Sequence, residues 1–599
     1  MRCVDHFEVK VRSSSGMPRA WDLAAAARRT IVDLDLLRTR LIWLALSIVT
    51  IVVLIALGRH LTFWQDEWAF IGAEPSSIGS WLTPHNEHWS TVPLLLYRAI
   101  LGVVGLHSYL PYLALLAALH VIAAGGAFVL LARRLPPWAA LVGVVPLLVL
   151  GSGYQNLVWA FQIGFVGSVA AGMWGLVALE TDQRPRSAVL GVALLIVALA
   201  SSGMGLFFVL AAAVRLAVDP ASRRRVLWLA IPAGVFAIWY LTYGRQGQSG
   251  FVGPTQVLVF AARGLIYAVA RVAGLDLAGH ASVLGPILAV ITLVLVTASL
   301  ARGAIRRSLP PLAVAGFVAA AGMYTVVGLT RADLASDFAM RSRYVYVAAF
   351  LLVPAAADLT SHLRAGRRLP KVAVVGLLAL VCLSVGANLV DLRAGRRQFS
   401  ADARLTRAYL TVLAEHRGAS WLDAGGLPPG WPDIDQLDVL LARYGSPLRD
   451  TLIPSDATPP RPDDLDRATL SLALKAFRVA PGPPPGPAIP VVPKVLTVAS
   501  ATVVSANACV EVTPAPTGGS VTVAVPGGGW LEVSGPAADL TALLGHLRPP
   551  TARFQLMIPT RAGGGATLAV PDLGDGSSWQ VALDLPAGTG RAAVCAFSG

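Results

Sequence analysis

Long apolar runs alternate with short polar connections over the first two thirds of the chain. Runs near the length of a membrane-spanning helix lie at about 41–57, 110–132, 138–151, 161–179, 187–200, 204–218, 225–243, 281–300, 311–329, 344–360 and 371–390. About twenty apolar residues in helical form cross the hydrocarbon core of a bilayer. We therefore predict a mainly α-helical polytopic membrane protein with about eleven transmembrane helices.

Three stretches leave the threading of these helices open. The runs at 187–200 and 204–218 are short and are separated by Ser201-Ser202-Gly203, so they form either a tight hairpin or one tilted span. The segment 254–274 carries two arginines and is expected to lie as an amphipathic helix on the membrane surface. The short run at 92–104 is expected in the interface or dipping into the membrane.

After the last span the pattern changes twice. Residues 392–480 mix helical stretches with turn signals, and the proline-rich segment 481–493 is typical of a stiff linker. From residue 494 to 599, short β-rich runs separated by Gly and Pro predict a β-sandwich. Cys509 and Cys595 bracket this segment, and we predict a disulfide between them if the compartment is oxidising.

Charge places these parts relative to the membrane. The chain is 55% hydrophobic and only 14% charged, and its net charge of +14 comes from short basic clusters between apolar runs. A basic stripe would suggest a nucleic-acid partner, whereas clusters at every second boundary follow the positive-inside rule, so no nucleic acid is expected. We predict a multi-pass protein of the cytoplasmic (inner) membrane with a cytoplasmic tail (1–40), a transmembrane domain (41–391) and an extracytoplasmic C-terminal domain.

The loop 59–108, after the first span, concentrates residue types that are rare elsewhere in the chain. The protein has 34 Asp and Glu and 10 His in 599 residues, and six of them lie close together among four tryptophans: Asp66, Glu67, Glu74, His85, Glu87 and His88. A carboxylate at the membrane surface can act as general base towards a hydroxyl group. Asp66 and Glu67 are the candidates, with Asp66 favoured, and a solvated helix cap is the alternative.

The segment His85-Asn86-Glu87-His88 has two interpretations. His85 and His88 could ligate a divalent metal ion such as Mg, Mn or Ca, but the spacing lacks the further ligands of a specific metal motif. Alternatively, His85, Glu87 and His88 bind the acceptor or a sugar through hydrogen bonds. Both interpretations stay open.

Two further groups lie on the loops that this threading places outside. Arginines kept on the side disfavoured by the positive-inside rule could bind a phosphate bidentately, or could simply contact lipid headgroups: Arg98, Arg245, Arg331, Arg341 and Arg343. Amide and aromatic side chains suit sugar recognition, or helix-end packing in an interfacial belt: Trp68, Tyr154, Gln155, Asn156, Trp159 and Gln162.

The chain contains no P-loop motif GxxxxGK[ST] and no GxSxG nucleophile elbow. ATP would not be available on the outer face, so a reaction there needs an activated donor that is already in the membrane. Over about residues 41–391 the chain resembles the GT-C class of integral-membrane glycosyltransferases. The matching features are the acidic pair Asp66-Glu67 in the first large external loop, the HNEHW segment at 85–89, and the many spans followed by an external domain.

The resemblance implies a bacterial cell-envelope enzyme that uses a polyprenyl-phosphate sugar as donor. It implies that Asp66 is the base, that the external arginines bind the donor phosphate, and that the loop holds the acceptor. A hexose or pentose would be transferred to a cell-envelope polysaccharide or glycolipid. The β-sandwich is similar to carbohydrate-binding modules appended to some cell-wall glycosyltransferases. The alternatives are a flippase of lipid-linked glycans and a non-catalytic scaffold for envelope assembly.

Overall fold

The structure is a computed structural model. It describes residues 20–598 except 74–76, 182–183, 248–251, 277–282, 336, 365–369, 449–459, 485–488, 507, 536–538, 547, 551–553 and 561–564. Glu74 and Cys3 lie outside the described residues.

Most of the described chain is helical as far as residue 476. The α-helices are α1 (Ala20–Gly58), α2 (Glu67–Gly72), α3 (Ile78–Leu82), α4 (Thr91–Val104), α5 (Leu110–Ala132), α6 (Pro137–Leu148), α7 (Gln155–Val158), α8 (Ile163–Thr181), α9 (Pro185–Ser201), α10 (Gly205–Val218), α11 (Ala230–Thr242), α12 (Pro254–Val272), α13 (Leu284–Ile305), α14 (Pro311–Arg331), α15 (Ser342–Arg364), α16 (Lys371–Glu415), α17 (Ile434–Tyr444) and α18 (Pro462–Ala473).

In the part of the chain that the structure describes, nine helical segments are long and apolar enough to cross a membrane: Leu37–Gly58, Leu110–Ala132, Ala160–Glu180, Arg223–Thr242, Pro254–Val272, Leu284–Ile305, Pro311–Arg331, Ser342–Arg364 and Val374–Glu415. The protein is therefore a multi-pass membrane protein. The predicted spans at 138–151, 187–200 and 204–218 correspond to the shorter apolar helices α6, α9 and α10, whereas α12, which was predicted to lie on the membrane surface, has the length and hydropathy of a span.

The helix α12, which was predicted to lie on the membrane surface, packs against α13, α14 and α15. Just before it, the N–H of Val252 donates to Leu329 near the end of α14. At its end, Val272 accepts a hydrogen bond from Ser384, one turn before Asn388 on α16. Asn388 in turn binds the backbone of Ser152, in the connection between α6 and α8. Both ends of α12 therefore lie in the same half of the bundle.

One end of the bundle is held by buried ion pairs and is called the basic end here. Glu180 at the end of α8 accepts from Arg134 after α5 and from Arg215 on α10, the latter at 2.9 Å. Arg134 also contacts Asp358 of α15 at 2.6 Å, and the other oxygen of Asp358 accepts from the backbone N–H of Leu312, at the start of α14. A carboxylate at that position satisfies free N–H groups of the helix terminus. Five helices are thereby tied together at this end: α5, α8, α10 and α15 lead into it, and α14 starts from it.

The opposite end of the bundle is called the loop end. The helices α5, α8, α10 and α15 begin there and α14 ends there, and it carries the loop 59–108, the turn between α9 and α10, and the connection between α6 and α8. The helix α16 starts at the basic end and continues without a break to Glu415, beyond the loop end. The region 416–445 that follows packs back onto the loop.

The C-terminal domain is a β-sandwich, as predicted. One sheet has the order β1-β10-β7-β12-β5-β4 with β2 paired to β12, and the other has the order β3-β6-β11-β8-β9. The strands are β1 (Arg478–Pro481), β2 (Ile489–Val491), β3 (Lys494–Ala499), β4 (Ala501–Ala506), β5 (Cys509–Pro514), β6 (Gly519–Pro526), β7 (Trp530–Ser534), β8 (Leu540–Gly545), β9 (Gln555–Ile558), β10 (Gly565–Ala569), β11 (Ser578–Leu585) and β12 (Ala592–Ser598).

Two features of this domain bear on the predictions. Cys509 on β5 and Cys595 on β12 face each other across the antiparallel ladder and form the predicted disulfide. The strand β1 comes before the proline-rich segment and β2 lies within it, so the sandwich begins at Arg478 and not at 494. The domain is joined to the helical region by the rings of Phe477 and Trp579, whose centroids are 4.8 Å apart.

Candidate active site

The segment His85–His88 folds into a tight hairpin in the loop 59–108. The backbone N–H of each histidine donates to the carbonyl of the other, at 3.0 Å. The two central residues, Asn86 and Glu87, have φ of 47° and 69°. A positive φ at both central positions is the requirement of a type I′ turn, and for glutamate it is a strained conformation. The turn directs polar side chains towards one place, which is a common use of strain at functional sites.

A cavity of about 400 Å³ lies at the loop end, bounded by this hairpin. Its walls come from five parts of the chain: the loop itself, the start of α4, the segment before and at the start of α8, the turn between α9 and α10, and the residues flanking the connection from α14 to α15. The lining side chains include Asp66, His85, Asn86, Glu87, His88, Phe161, Gln162, Phe165, Ser202, Arg331 and Arg343.

Asp66 is one of two carboxylates among the described residues that line this cavity; the other, Glu87, forms an ion pair with Arg331. Oδ2 of Asp66 accepts a hydrogen bond from Nδ2 of Asn86 at 3.2 Å. Burial raises the pKa of Asp66 above its ordinary value, and the positive charges of Arg343 and Arg331 oppose that rise. An accessible carboxylate with a raised pKa is a better proton acceptor than an ordinary aspartate.

Glu67 is turned away from the cavity and is fully buried. Its carboxyl group accepts hydrogen bonds from Tyr97 Oη (2.5 Å), Tyr109 Oη (2.8 Å) and the backbone N–H of Trp64 (2.7 Å). Burial raises the pKa of Glu67 to about 7, and the three donors oppose that rise. The adjacent acids therefore have different environments: Asp66 lines the cavity, and Glu67 ties the loop to α4 and to the residue before α5.

His85 and His88 both line the cavity, but they are not charged at neutral pH. Burial lowers the pKa of His85 to about 4. Burial, helped by the nearby charge of Arg331, lowers that of His88 to about 3. Among the described residues no group of three or more His, Cys, Asp or Glu is arranged to hold a metal ion. In the described part of the loop, His85 and His88 therefore lack the further ligands of a specific metal site.

Of the predicted phosphate-binding arginines, Arg331 and Arg343 reach the cavity. Arg343 lines it, and its Nε has no hydrogen-bond partner among the described residues. Arg331 lines the cavity too and contacts Glu87 at 3.2 Å. Arg341 lies nearby but is exposed, with its guanidinium 4.1 Å from the ring of Phe338. The pair Arg331 and Arg343 is thus the cationic part of the site.

The other two predicted arginines lie elsewhere. Arg98 on α4 faces the region after α16, where its Nη1 donates to Tyr444 Oη at 3.2 Å. Arg245 is exposed after α11 and does not line the cavity.

The predicted sugar-binding group is also only partly assembled. Trp68 is buried with its ring 4.8 Å from that of Trp431, and neither Tyr154, Gln155 nor Asn156 lines the cavity. Tyr154 Oη instead donates to Gln398 of α16. The same connection contributes Phe161 and Gln162, which come a few residues later. The amide-rich sequence pattern therefore indicated the right connection, and of the residues that it named there, Gln162 lines the cavity.

The turn between α9 and α10 is a part of the site that sequence reasoning missed. Ser201 and Ser202 line the cavity, and a Cβ on Gly203 would lie 2.8 Å from Nδ1 of His88. Gly203 therefore permits the close approach of the hairpin to the helices. The apolar runs on either side predict only membrane helices, because their sequences carry no cluster of side chains that is typical of catalysis or ligand binding.

No model of a known protein family matches the chain. No curated protein matches it either. Among solved structures it resembles an oligosaccharyltransferase of Archaeoglobus fulgidus, tethered to an acceptor peptide containing the NVT sequon, with 13% sequence identity and a TM-score of 0.37. The match covers 63% of this chain and 57% of that one, less than two thirds of its length. A resemblance at this level supports no conclusion about function.

Proposed function

We propose that the protein is a GT-C-type membrane glycosyltransferase that transfers a sugar from a polyprenyl-phosphate donor to a cell-envelope glycan or glycolipid. The observation that carries this proposal is the cavity itself. It combines an accessible carboxylate, Asp66, with two guanidinium groups, Arg331 and Arg343, and with neutral hydrogen-bonding and aromatic side chains at the loop end of a membrane bundle. A lipid-linked sugar phosphate presents the complementary groups.

The reaction would be a direct displacement at the anomeric carbon. Asp66 takes the proton of the acceptor hydroxyl as its oxygen forms the new bond to the anomeric carbon. The bond from that carbon to the phosphate oxygen breaks, and the electron pair leaves with the lipid phosphate. Arg331 and Arg343 stabilise the negative charge that develops there. A phosphate is a good leaving group, so no separate general acid is needed.

Two observations support an extracytoplasmic position for the loop end. The basic clusters Arg133-Arg134 and Arg223–Arg225 lie at the opposite end, where the positive-inside rule favours the cytoplasm. The disulfide between Cys509 and Cys595, in the domain beyond the loop end, suits an oxidising compartment. The proposed location is the cytoplasmic membrane, with the active site and the β-sandwich outside.

The decisive experiment is a transfer assay with purified protein, short-chain polyprenyl-phosphate sugars and envelope glycan acceptors. We expect Asp66→Asn to lower kcat by at least about 100-fold, since a positioned general base contributes that much. The variant should keep the melting temperature of the wild type. As a control, Asp435→Asn on α17 removes an exposed acid that does not line the cavity, and should leave turnover unchanged.

Near-normal turnover of Asp66→Asn would remove Asp66 from the mechanism. If the wild-type protein transferred no sugar but moved the intact lipid-linked donor across vesicle membranes, it would be a flippase. Addition of EDTA to the same assay tests the metal that the sequence left open. A donor set without a third ligand predicts that turnover survives chelation.

A further inference from the structure

Gln162 is a buried side chain whose amide has no hydrogen-bond partner in the part of the chain that the structure describes. It is 0% exposed, and neither its Oε1 nor its Nε2 has a hydrogen-bond partner among the described residues. It lines the cavity that contains Asp66. An amide group buried without partners is costly, so such groups are rare in native proteins and call for an explanation.

The surroundings of Gln162 indicate what could satisfy it. His85 lines the same cavity, and its Nε2 is likewise buried without a partner among the described residues. The rings of His85 and Phe161 are 5.7 Å apart, and Phe165 adds a second aromatic ring to the cavity lining. These lining residues are neutral or aromatic, whereas the charged side chains of the lining are Asp66, Glu87 and the arginine pair.

A cavity lined by a neutral amide, Gln162, and a neutral imidazole, His85, suits a ligand that carries hydroxyl groups. A glutamine amide offers one acceptor and two donor hydrogens, and a hydroxyl group both donates and accepts. A carboxylate or phosphate would instead seek the guanidinium groups. The two kinds of lining residue therefore divide the cavity between a hydroxyl-rich part and an anionic part of one ligand.

We propose that Gln162 is a specificity-determining residue that hydrogen-bonds a hydroxyl group of the transferred, uncharged sugar while the arginine pair holds the phosphate. This inference rests on the proposed function. It names the recognised part of the donor as a neutral polyhydroxyl ring and assigns its recognition to a residue outside the acidic loop. A site built to bond a hydroxyl discriminates strongly against the analogue that lacks it, because its own buried groups are then left unpaired.

The test compares Gln162→Leu with the wild type on two sets of donors. One set is the polyprenyl-phosphate hexoses or pentoses that the wild type transfers, and the other is their monodeoxy derivatives. For the wild type we expect kcat/KM to fall roughly ten- to hundredfold for one monodeoxy donor. In Gln162→Leu, kcat/KM should fall by a similar factor on the parent sugar and change little on that deoxy donor, so that discrimination disappears.

Thermal stability separates recognition from a structural role. Because the amide of Gln162 has no hydrogen-bond partner among the residues that the structure describes, Gln162→Leu should melt at the same temperature as the wild type or higher. A matched control is Ser168→Ala on α8. The hydroxyl group of Ser168 is also fully buried and has no partner among the described residues, but Ser168 does not line the cavity. Ser168→Ala should also keep its melting temperature, and its discrimination between donors should equal that of the wild type.

Three results would contradict the inference. Gln162→Leu could retain the discrimination of the wild type, could lose activity equally on parent and deoxy donors, or could melt at a markedly lower temperature. Each would show that Gln162 does not read a hydroxyl, while leaving the proposed transfer reaction in place. If the wild type transferred sugar from none of the donors, the proposed function would fall and this inference with it.

Discussion

The adjacent acids Asp66 and Glu67 show how far the environment of a residue decides its role. Both are carboxylates in the same loop, and sequence reasoning favoured Asp66 only weakly. The start of α2 turns Glu67 into the core, where three donors bind it, and leaves Asp66 at the cavity. Glu67 is also linked to the cavity wall through Tyr109. The hydroxyl group of Tyr109 donates to Glu67 and accepts from the N–H of Ala160, which precedes the cavity-lining Phe161. We infer that Glu67 positions the site without taking part in proton transfer.

The titration of Glu67 should be visible in stability. Its pKa is raised from 4.5 to about 7 in the folded protein. The stabilising contribution of this proton is therefore complete below about pH 4.5 and is lost as the pH rises through about 7. Glu67→Gln cannot titrate, so the melting temperature of the wild type relative to that of the variant should fall between these pH values and be flat above them. A difference that stays constant over this range would contradict the burial of an ionisable Glu67.

At the level of elements, the loop is held from two sides. The hairpin His85–His88 meets the turn between α9 and α10 on one side. On the other, the region after α16 covers the acidic pair, with Trp431 against Trp68 and with the N–H of Leu106 donating to Tyr444. Gly430 approaches so closely that a Cβ there would lie 3.2 Å from Oδ1 of Asp66. The extramembrane region thus helps to place the proposed base.

Substitution of Gly430 tests this contact. Gly430 has φ of +86°, so Gly430→Ala adds left-handed strain of about 1–2 kcal/mol and pushes the new methyl group against Asp66. Gly418→Ala is the matched control, because φ there is +76° and no atom lies within 4 Å of the new Cβ. Both variants should lose similar stability. Only Gly430→Ala should lower kcat, by roughly tenfold, since small misplacements of a reacting group are costly. Equal kcat values would mean that the cover does not position Asp66.

On the scale of the whole molecule, the two ends of the bundle differ in chemistry. The basic end is closed by buried ion pairs around Glu180, and the loop end carries the cavity and leads to the β-sandwich. The ion pairs thus mark one end of the bundle, and the cavity marks the other. The proposed orientation places the basic end in the cytoplasm.

Site-directed labelling can check that orientation. Thr83 is exposed at the loop end, and Ser308 is exposed between α13 and α14 at the basic end. In a chain whose Cys3 and Cys382 are replaced by serine, Thr83→Cys should react with an impermeant maleimide on intact cells. Ser308→Cys should react only after the membrane is opened. The reverse pattern would place the active site in the cytoplasm and would exclude a donor on the outer face.

Much of this organisation was predictable because it depends on local patterns. Apolar length predicted most spans, alternation predicted the strands of the sandwich, and the scarcity of acids and histidines drew attention to the loop around Asp66. The failures have a common cause. Asn156 and Gln162 are equally polar in sequence, and both are fully buried without hydrogen-bond partners among the described residues, yet only Gln162 meets the cavity. Which side of a short helix faces a cavity depends on distant packing partners.

The sequence by itself determined that this is a multi-pass membrane protein with a C-terminal β-sandwich and a polar loop that is rich in candidate chemistry. Hydrophobic length and alternation are properties of the chain, and they act locally. Only the tertiary structure decided which residues share one cavity, because Asp66, Gln162, Ser202 and Arg343 come from separate segments of the chain. It also separated Asp66 from Glu67, since burial and hydrogen-bond donors are supplied by neighbours that the sequence does not place.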